Sequence, residues 1–171
     1  MSCLSNTFRL FVGGAVIDAI YLCKNTAFAA TAGAKTVLKI ITGSTFNIKI
    51  HEIGVSMDGV TSTAVPATLD LFVSDETTAG TSGGSVPTIQ QIKGRTQAHG
   101  CTLGHNFTAE GTTYTVLKSL YVPQFMGLVI LQNPLGLEEQ GPGVDVADSI
   151  GLRINVTANV NVLAWIKFSR V

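Results

Sequence analysis

The chain is predicted to be all-β: an antiparallel β-sandwich or jelly roll of about eight strands with an extended N-terminal arm. Three observations carry that prediction. Phe46, Ile48 and Ile50 alternate with Asn47, Lys49 and His51, the period of a strand with one buried face. The same period returns from Ile150 to Phe168. Nowhere do apolar residues recur convincingly at helical spacing, while Gly, Asn, Asp, Ser and Pro interrupt the chain often enough to separate short strands.

Residues 1–34 are expected to form the arm and residues 35–171 the sandwich domain. The arm contains Leu10–Leu22, LFVGGAVIDAIYL, preceded by Arg9 and followed by the small-residue stretch AFAA. Such a run has the outline of a secretory signal, but Asp18 interrupts it and only one positive charge precedes it. It is too short to cross a bilayer as a helix. The preferred reading is an apolar arm packed on its own domain or on a neighbour.

Thr36–Thr42 is the first predicted strand of the domain, and Gly43-Ser44 links it to the second, Thr45–Met57. In that second strand the apolar positions change phase, from even numbers to Ile53, Val55 and Met57. One face cannot hold both sets unless the strand bulges near His51–Glu52. Asp58-Gly59 turns the chain, 61–66 forms a loop, and a returning strand carries Leu69, Leu71 and Val73. Glu76–Ser85 is loop by composition, Val86–Ile92 a short strand, and 93–113 a long connection with a brief strand at Cys101–Phe107. Thr113–Val122 reads as a strand. Met126–Gln132 is a continuous apolar run, expected to be buried on both faces, either in the sandwich core plus a subunit contact or at a corner. Turn chemistry fills Asn133–Ser149. A hairpin is then expected, with Ile150–Val156 and Val160–Phe168 joined at Ala158-Asn159. Leu163 and Trp165 fall on its non-core side, so that side too is expected to be covered.

Of 171 residues, 46% are hydrophobic and 13% charged, and the net charge is zero. Globular chains carry about a quarter charged residues. A surface so poor in charge is weakly protected against association, so much of it is expected to lie against other chains. No basic excess points to nucleic acid. The odd set Cys3, Cys23 and Cys101 makes no disulfide framework and fits reduced, mostly buried thiols.

The chemical candidates are weak. His99, Cys101 and His105 are zinc-type ligands close in sequence but lack a fourth. His51 and Asp70 are the pair that a hydrolytic site would need, without a nucleophile elbow. Asp75-Glu76 and Glu138-Glu139 are adjacent acids in glycine-rich loops, which usually serve solvation, and Asp145 and Asp148 lack the density of a calcium loop. Gly83-Gly84 has neither the Lys nor the helix of a phosphate loop. No catalytic, cofactor or metal site is therefore assigned. The assigned residues are contact residues: Phe8, Leu10, Phe11, Val12, Ile17, Ile20 and Tyr21 in the arm, with Met126, Leu128, Leu163 and Trp165 in the domain.

Three stretches carry a resemblance: Gly54–Phe72 (GVSMDGVTSTAVPATLDLF), Asn133-Pro134-Leu135-Gly136 with acids just after, and Gly151–Phe168 (GLRINVTANVNVLAWIKF). Together they resemble the small β-sandwich decoration, or cement, proteins of tailed-bacteriophage heads, over roughly residues 36–168. These motifs are structural. The resemblance implies a non-enzymatic virion protein made in the host cytoplasm. It implies a place on the capsid exterior at capsomer junctions, as a homotrimer bound to the major capsid protein, with no cofactor, nucleic acid or membrane. The arm departs from that family in length and apolarity, which makes it a candidate anchor. The alternative expectation is a receptor- or glycan-binding module of a tail or head fibre, with loops 76–86 and 97–113 as its ligand surface.

Overall fold

A computed structural model describes residues 19–43, 46–60, 65–75, 80–83, 89–94, 96–125, 127–132, 143–144 and 148–170. Among these residues there is no helix. The strands are β1 (Ile20–Lys24), β2 (Phe28–Ala30), β3 (Gly33–Ile41), β4 (Ile48–Met57), β5 (Ala67–Ser74), β6 (Gln90–Lys93), β7 (Thr102–His105), β8 (Thr115–Val122), β9 (Leu128–Gln132), β10 (Gly143–Val144), β11 (Ser149–Val156) and β12 (Val160–Arg170). They form two antiparallel sheets packed as a sandwich. Sheet A runs β10-β4-β12-β1-β6, with β9 also on β4 and β2 also on β12. Sheet B runs β7-β3-β11-β5-β8.

Among the described residues no two strands consecutive in the chain pair with each other. The chain instead crosses between sheets: β3 to β4, β4 to β5, and β11 to β12 all pass from one layer to the other. This corrects the expected C-terminal hairpin. Ile150, Leu152, Ile154 and Val156 on β11 face Val160, Val162, Ala164, Ile166 and Phe168 on β12 across the interior, from opposite sheets. Alternation tells which face of a strand is buried; it does not tell whether the next strand lies beside it or opposite it.

The predicted bulge is present. Lys167 lies opposite Glu52 and Phe168 opposite Ile50, so His51 has no partner residue on β12. Burial passes from Ile48 and Ile50 to Ile53, Val55 and Met57 across that point. The extra residue is held by a 2.9 Å hydrogen bond between His51 Nε2 and Ser169 Oγ.

One expectation changes. The described part of the arm belongs to the sandwich, because β1 lies inside sheet A between β12 and β6. Ile20, Tyr21, Leu22 and Cys23 are all apolar, so no period showed the strand, although Tyr21 and Cys23 alone point inward. Beyond β1, Asn25 continues the ladder with its side chain. Its Oδ1 accepts from Ala164 N at 2.8 Å and its Nδ2 donates to the Val162 carbonyl at 3.2 Å. β9 is an edge strand: Val129 and Leu131 pack on the core, while Leu128 and Ile130 are exposed on the single chain.

Leu152 sits at the centre of sheet B, fully buried between β3 and β5. Leu152→Ala should lower unfolding stability by about 2–5 kcal/mol, from the lost transfer energy plus the cavity left behind. Urea denaturation measures it; a loss below about 1 kcal/mol would mean that the interior is not packed as described.

Candidate interaction face

The bulge at His51 decides which β4 side chains look outward. Past it, Glu52, Gly54 and Ser56 face away from the core, opposite Lys167, Trp165 and Leu163 on β12. On the other side of β4 they face Gln132, Ile130 and Leu128 of β9. Over β9, β4 and β12 the outer face of sheet A forms three short rows, Leu128–Ser56–Leu163, Ile130–Gly54–Trp165 and Gln132–Glu52–Lys167, and β1 extends two of them with exposed Lys24 opposite Trp165 and Leu22 opposite Lys167.

Each middle residue suits its row. A Cβ on Gly54 would lie 1.9 Å from the Trp165 ring, so the indole can lie across the strand only because position 54 has no side chain. The ring nitrogen then donates to Glu52 Oε1 at 2.8 Å. Lys167 Nζ reaches the same carboxylate at 2.7 Å, and Gln132 Nε2 donates to its Oε2 at 2.7 Å. Burial opposes the charge on Glu52, but these three donors outweigh it and hold the carboxyl below its ordinary range. Leu128, Ile130 and Leu163 around this cluster are 59%, 49% and 46% exposed.

The outer face of sheet B is treated differently by the same chain. Phe107 lies against Gly104, where a Cβ would come within 2.7 Å of its ring, and beside Lys39. Glu110 accepts from Thr36 N at 2.9 Å and from Thr36 Oγ1 at 2.5 Å. Tyr114 meets Phe72 edge-on at 5.5 Å, and Arg153 stacks on Tyr114 and donates to its hydroxyl. Residues 106–114 thus lie over part of sheet B. Among the described residues nothing covers the Leu128, Ile130 and Leu163 side chains in the same way.

Leu128, Leu163 and Trp165, assigned as contact residues from sequence, share this face. Ile20 and Leu22 are half-buried on β1. Tyr21 is buried within its own chain against Phe168, with ring centroids 5.3 Å apart, and its hydroxyl donates to the Gln97 carbonyl at 2.9 Å. Phe8, Leu10, Phe11, Val12, Ile17 and Met126 lie outside the described residues, as do Glu76, Glu138, Glu139 and Asp145. Ile130 lies in the apolar run already given to a subunit contact; sequence reasoning missed Glu52, Gly54, Gln132 and Lys167. They join only through cross-strand register, and the one available signal was the glycine inside a strand pattern, which marks a close approach.

The chemical candidates do not assemble. His51 is on β4 in sheet A and Asp70 on β5 in sheet B, where Asp70 accepts from Ser119 Oγ at 2.6 Å. Ser169, beside His51, is buried and closed to a substrate. His99 Nδ1 accepts from Cys101 N at 3.2 Å, whereas His105 is buried opposite Leu38. Burial pushes the Cys101 thiol up to about 11 against the opposing pull of Arg170, so it is protonated at neutral pH. Among the described residues no group of three or more His, Cys, Asp or Glu is placed to hold a metal. No protein-family model matches the chain, and no characterised protein matches it in sequence.

Two outcomes follow. Gly54→Ala should displace Trp165, the chain's single tryptophan, and cost about 1–3 kcal/mol through overpacking. Its emission should shift to the red, and an unchanged spectrum would contradict the stacked geometry. The second concerns acid. Because the Glu52 folded-state value is depressed, its contribution is present above the ordinary glutamate range and lost as pH falls through the folded-state value. Urea midpoints of wild type and Glu52→Gln should therefore differ most near neutrality and converge on acidification. A gap that stays constant with pH would show that the carboxylate charge is not what matters.

Proposed function

We propose that this protein is a non-enzymatic structural module that adheres to a protein lattice through the outer face of sheet A. The observation that carries the reading is the exposed apolar rim of Leu128, Ile130 and Leu163 around Trp165 on the outer face of sheet A. An aromatic anchor within an aliphatic rim, with its polar groups already paired, is the anatomy of a contact centre. The internal bonds of Glu52 matter here, since a partner that covers it need not strip an unpaired charge of water. The neutral net charge and low charge content favour the same use.

The resemblance to phage-head decoration proteins supplies the proposed lattice, the capsid exterior at capsomer junctions. A capsid under internal pressure fails where neighbouring subunits part. A module seated over such a junction opposes that by the apolar area it removes from water, about 25 cal/mol per Å² before association costs. Contacts to several subunits at once strengthen it further.

The test uses purified phage heads that lack the protein. Wild-type chain should co-sediment to saturation, and Leu163→Glu should bind at least ~10-fold more weakly with an unchanged urea midpoint. Undiminished binding by Leu163→Glu, or no binding of the wild type to heads, would refute the reading.

A further inference from the structure

We propose that β9 is a self-pairing edge, through which two copies of the chain join antiparallel about a two-fold axis at Ile130. The proposal does not depend on what the outer face of sheet A binds. Among the described residues, β9 pairs with β4 along one side only, which leaves the other side of its backbone to be hydrogen-bonded.

Natural edges are normally protected by charge, proline, a bulge or brevity. The other edges of the two sheets have such protection. β8 carries Lys118 and a register shift against β5 between Leu71 and Phe72. β6 is four residues long and ends in Lys93, β7 is four residues, β2 is three, and β10 is two. β9, LVILQ, has no charge and no proline, and its register against β4 is unbroken. It is also apolar on both sides: Leu128 and Ile130 point outward, while Val129 and Leu131 pack against the core.

The occupant must then be an extended segment that is apolar on both faces and brings no charge, and β9 itself meets those terms. A two-fold axis sets every charged residue near it against its own copy, a like-charge cost. β9 escapes that cost because it carries none. Antiparallel pairing centred on residue 130 sets Ile130 against Ile130, Val129 against Leu131 on the inner side, and Leu128 against Gln132 on the outer. Glu52 on the adjacent strand β4 is paired with Lys167 one strand further on, and Lys118 of β8 lies beside Leu131 on the inner side, off the axis at residue 130. Pairing would merge two copies of sheet A into one and bring their outer apolar rims side by side. This is a two-fold contact, distinct from the trimer that the resemblance implies.

Sedimentation velocity of the full chain over the micromolar range tests it. Wild type should be a dimer. Ile130→Lys and Ile130→Glu, each alone, should sediment as monomers, with self-association weakened at least ~10-fold by the like charges at the axis. An equimolar mixture of the two should recover the dimer, which only folded partners with residue 130 opposite residue 130 can do. Ile130→Cys should give a disulfide-linked dimer under mild oxidation, because facing residues of an antiparallel pair lie within bridging distance. A monomeric or trimeric wild type, a dimer that persists in Ile130→Lys, or a mixture that stays monomeric while Ile130→Cys fails to cross-link would overturn the proposal.

Discussion

The register of β4 on β12 is the constraint on which the rest of the molecule depends. These two long strands form the spine of sheet A, and every other strand of that sheet attaches to one or other of them, save β6, which attaches through β1. One extra residue, His51, reverses which side chains of β4 face inward. Without it, Ile53, Val55 and Met57 would point to solvent and Glu52 would point into the core. With it, the inner face is aliphatic throughout. The outer face becomes a glycine under an indole beside a carboxylate with three donors.

From that register the two faces of the molecule acquire different surfaces. Sheet B is partly roofed by its own chain, in a loop anchored by Glu110 on Thr36, Phe107 over Gly104 and Tyr114 on Phe72. Sheet A keeps an apolar rim around a polar centre whose hydrogen bonds are already made. Burying such a centre costs less than burying an unpaired group, because its partners travel with it. That pre-paired centre, more than exposure alone, is why adhesion through sheet A is the reading put forward, since Leu117 and Tyr121 on β8 of sheet B are exposed as well. The paucity of charged residues along the chain has the same consequence at the level of the whole surface.

Much of this was legible in the sequence wherever the information was local. The phase slip after Ile50 announced the bulge, since parity along a strand is decided by its nearest neighbours. Leu163 and Trp165 were placed on the outer side of their strand for the same reason. What depended on distant pairing stayed hidden. β11 and β12 look like two arms of a hairpin, and only the interior decides that they face each other from opposite sheets. β1 shows four apolar residues in a row, so its inward pair Tyr21 and Cys23 could not be told from Ile20 and Leu22. The run around Leu128 is apolar without a period, so only its pairing on β4 tells the core-facing Val129 and Leu131 from the exposed Leu128 and Ile130. Glu52, Gln132 and Lys167 lie far apart in the chain and meet only through two cross-strand registers.

The most direct test of the central claim uses Trp165 as its own reporter, since it is the chain's single tryptophan and stands in the middle of the proposed contact face. Emission would be recorded as the intact protein is titrated with purified phage heads that lack it. Seating through the outer face of sheet A predicts a saturable blue shift and protection from an aqueous quencher, in step with binding measured by sedimentation. Binding that leaves the spectrum and the quenching unchanged would place the contact elsewhere and contradict the account.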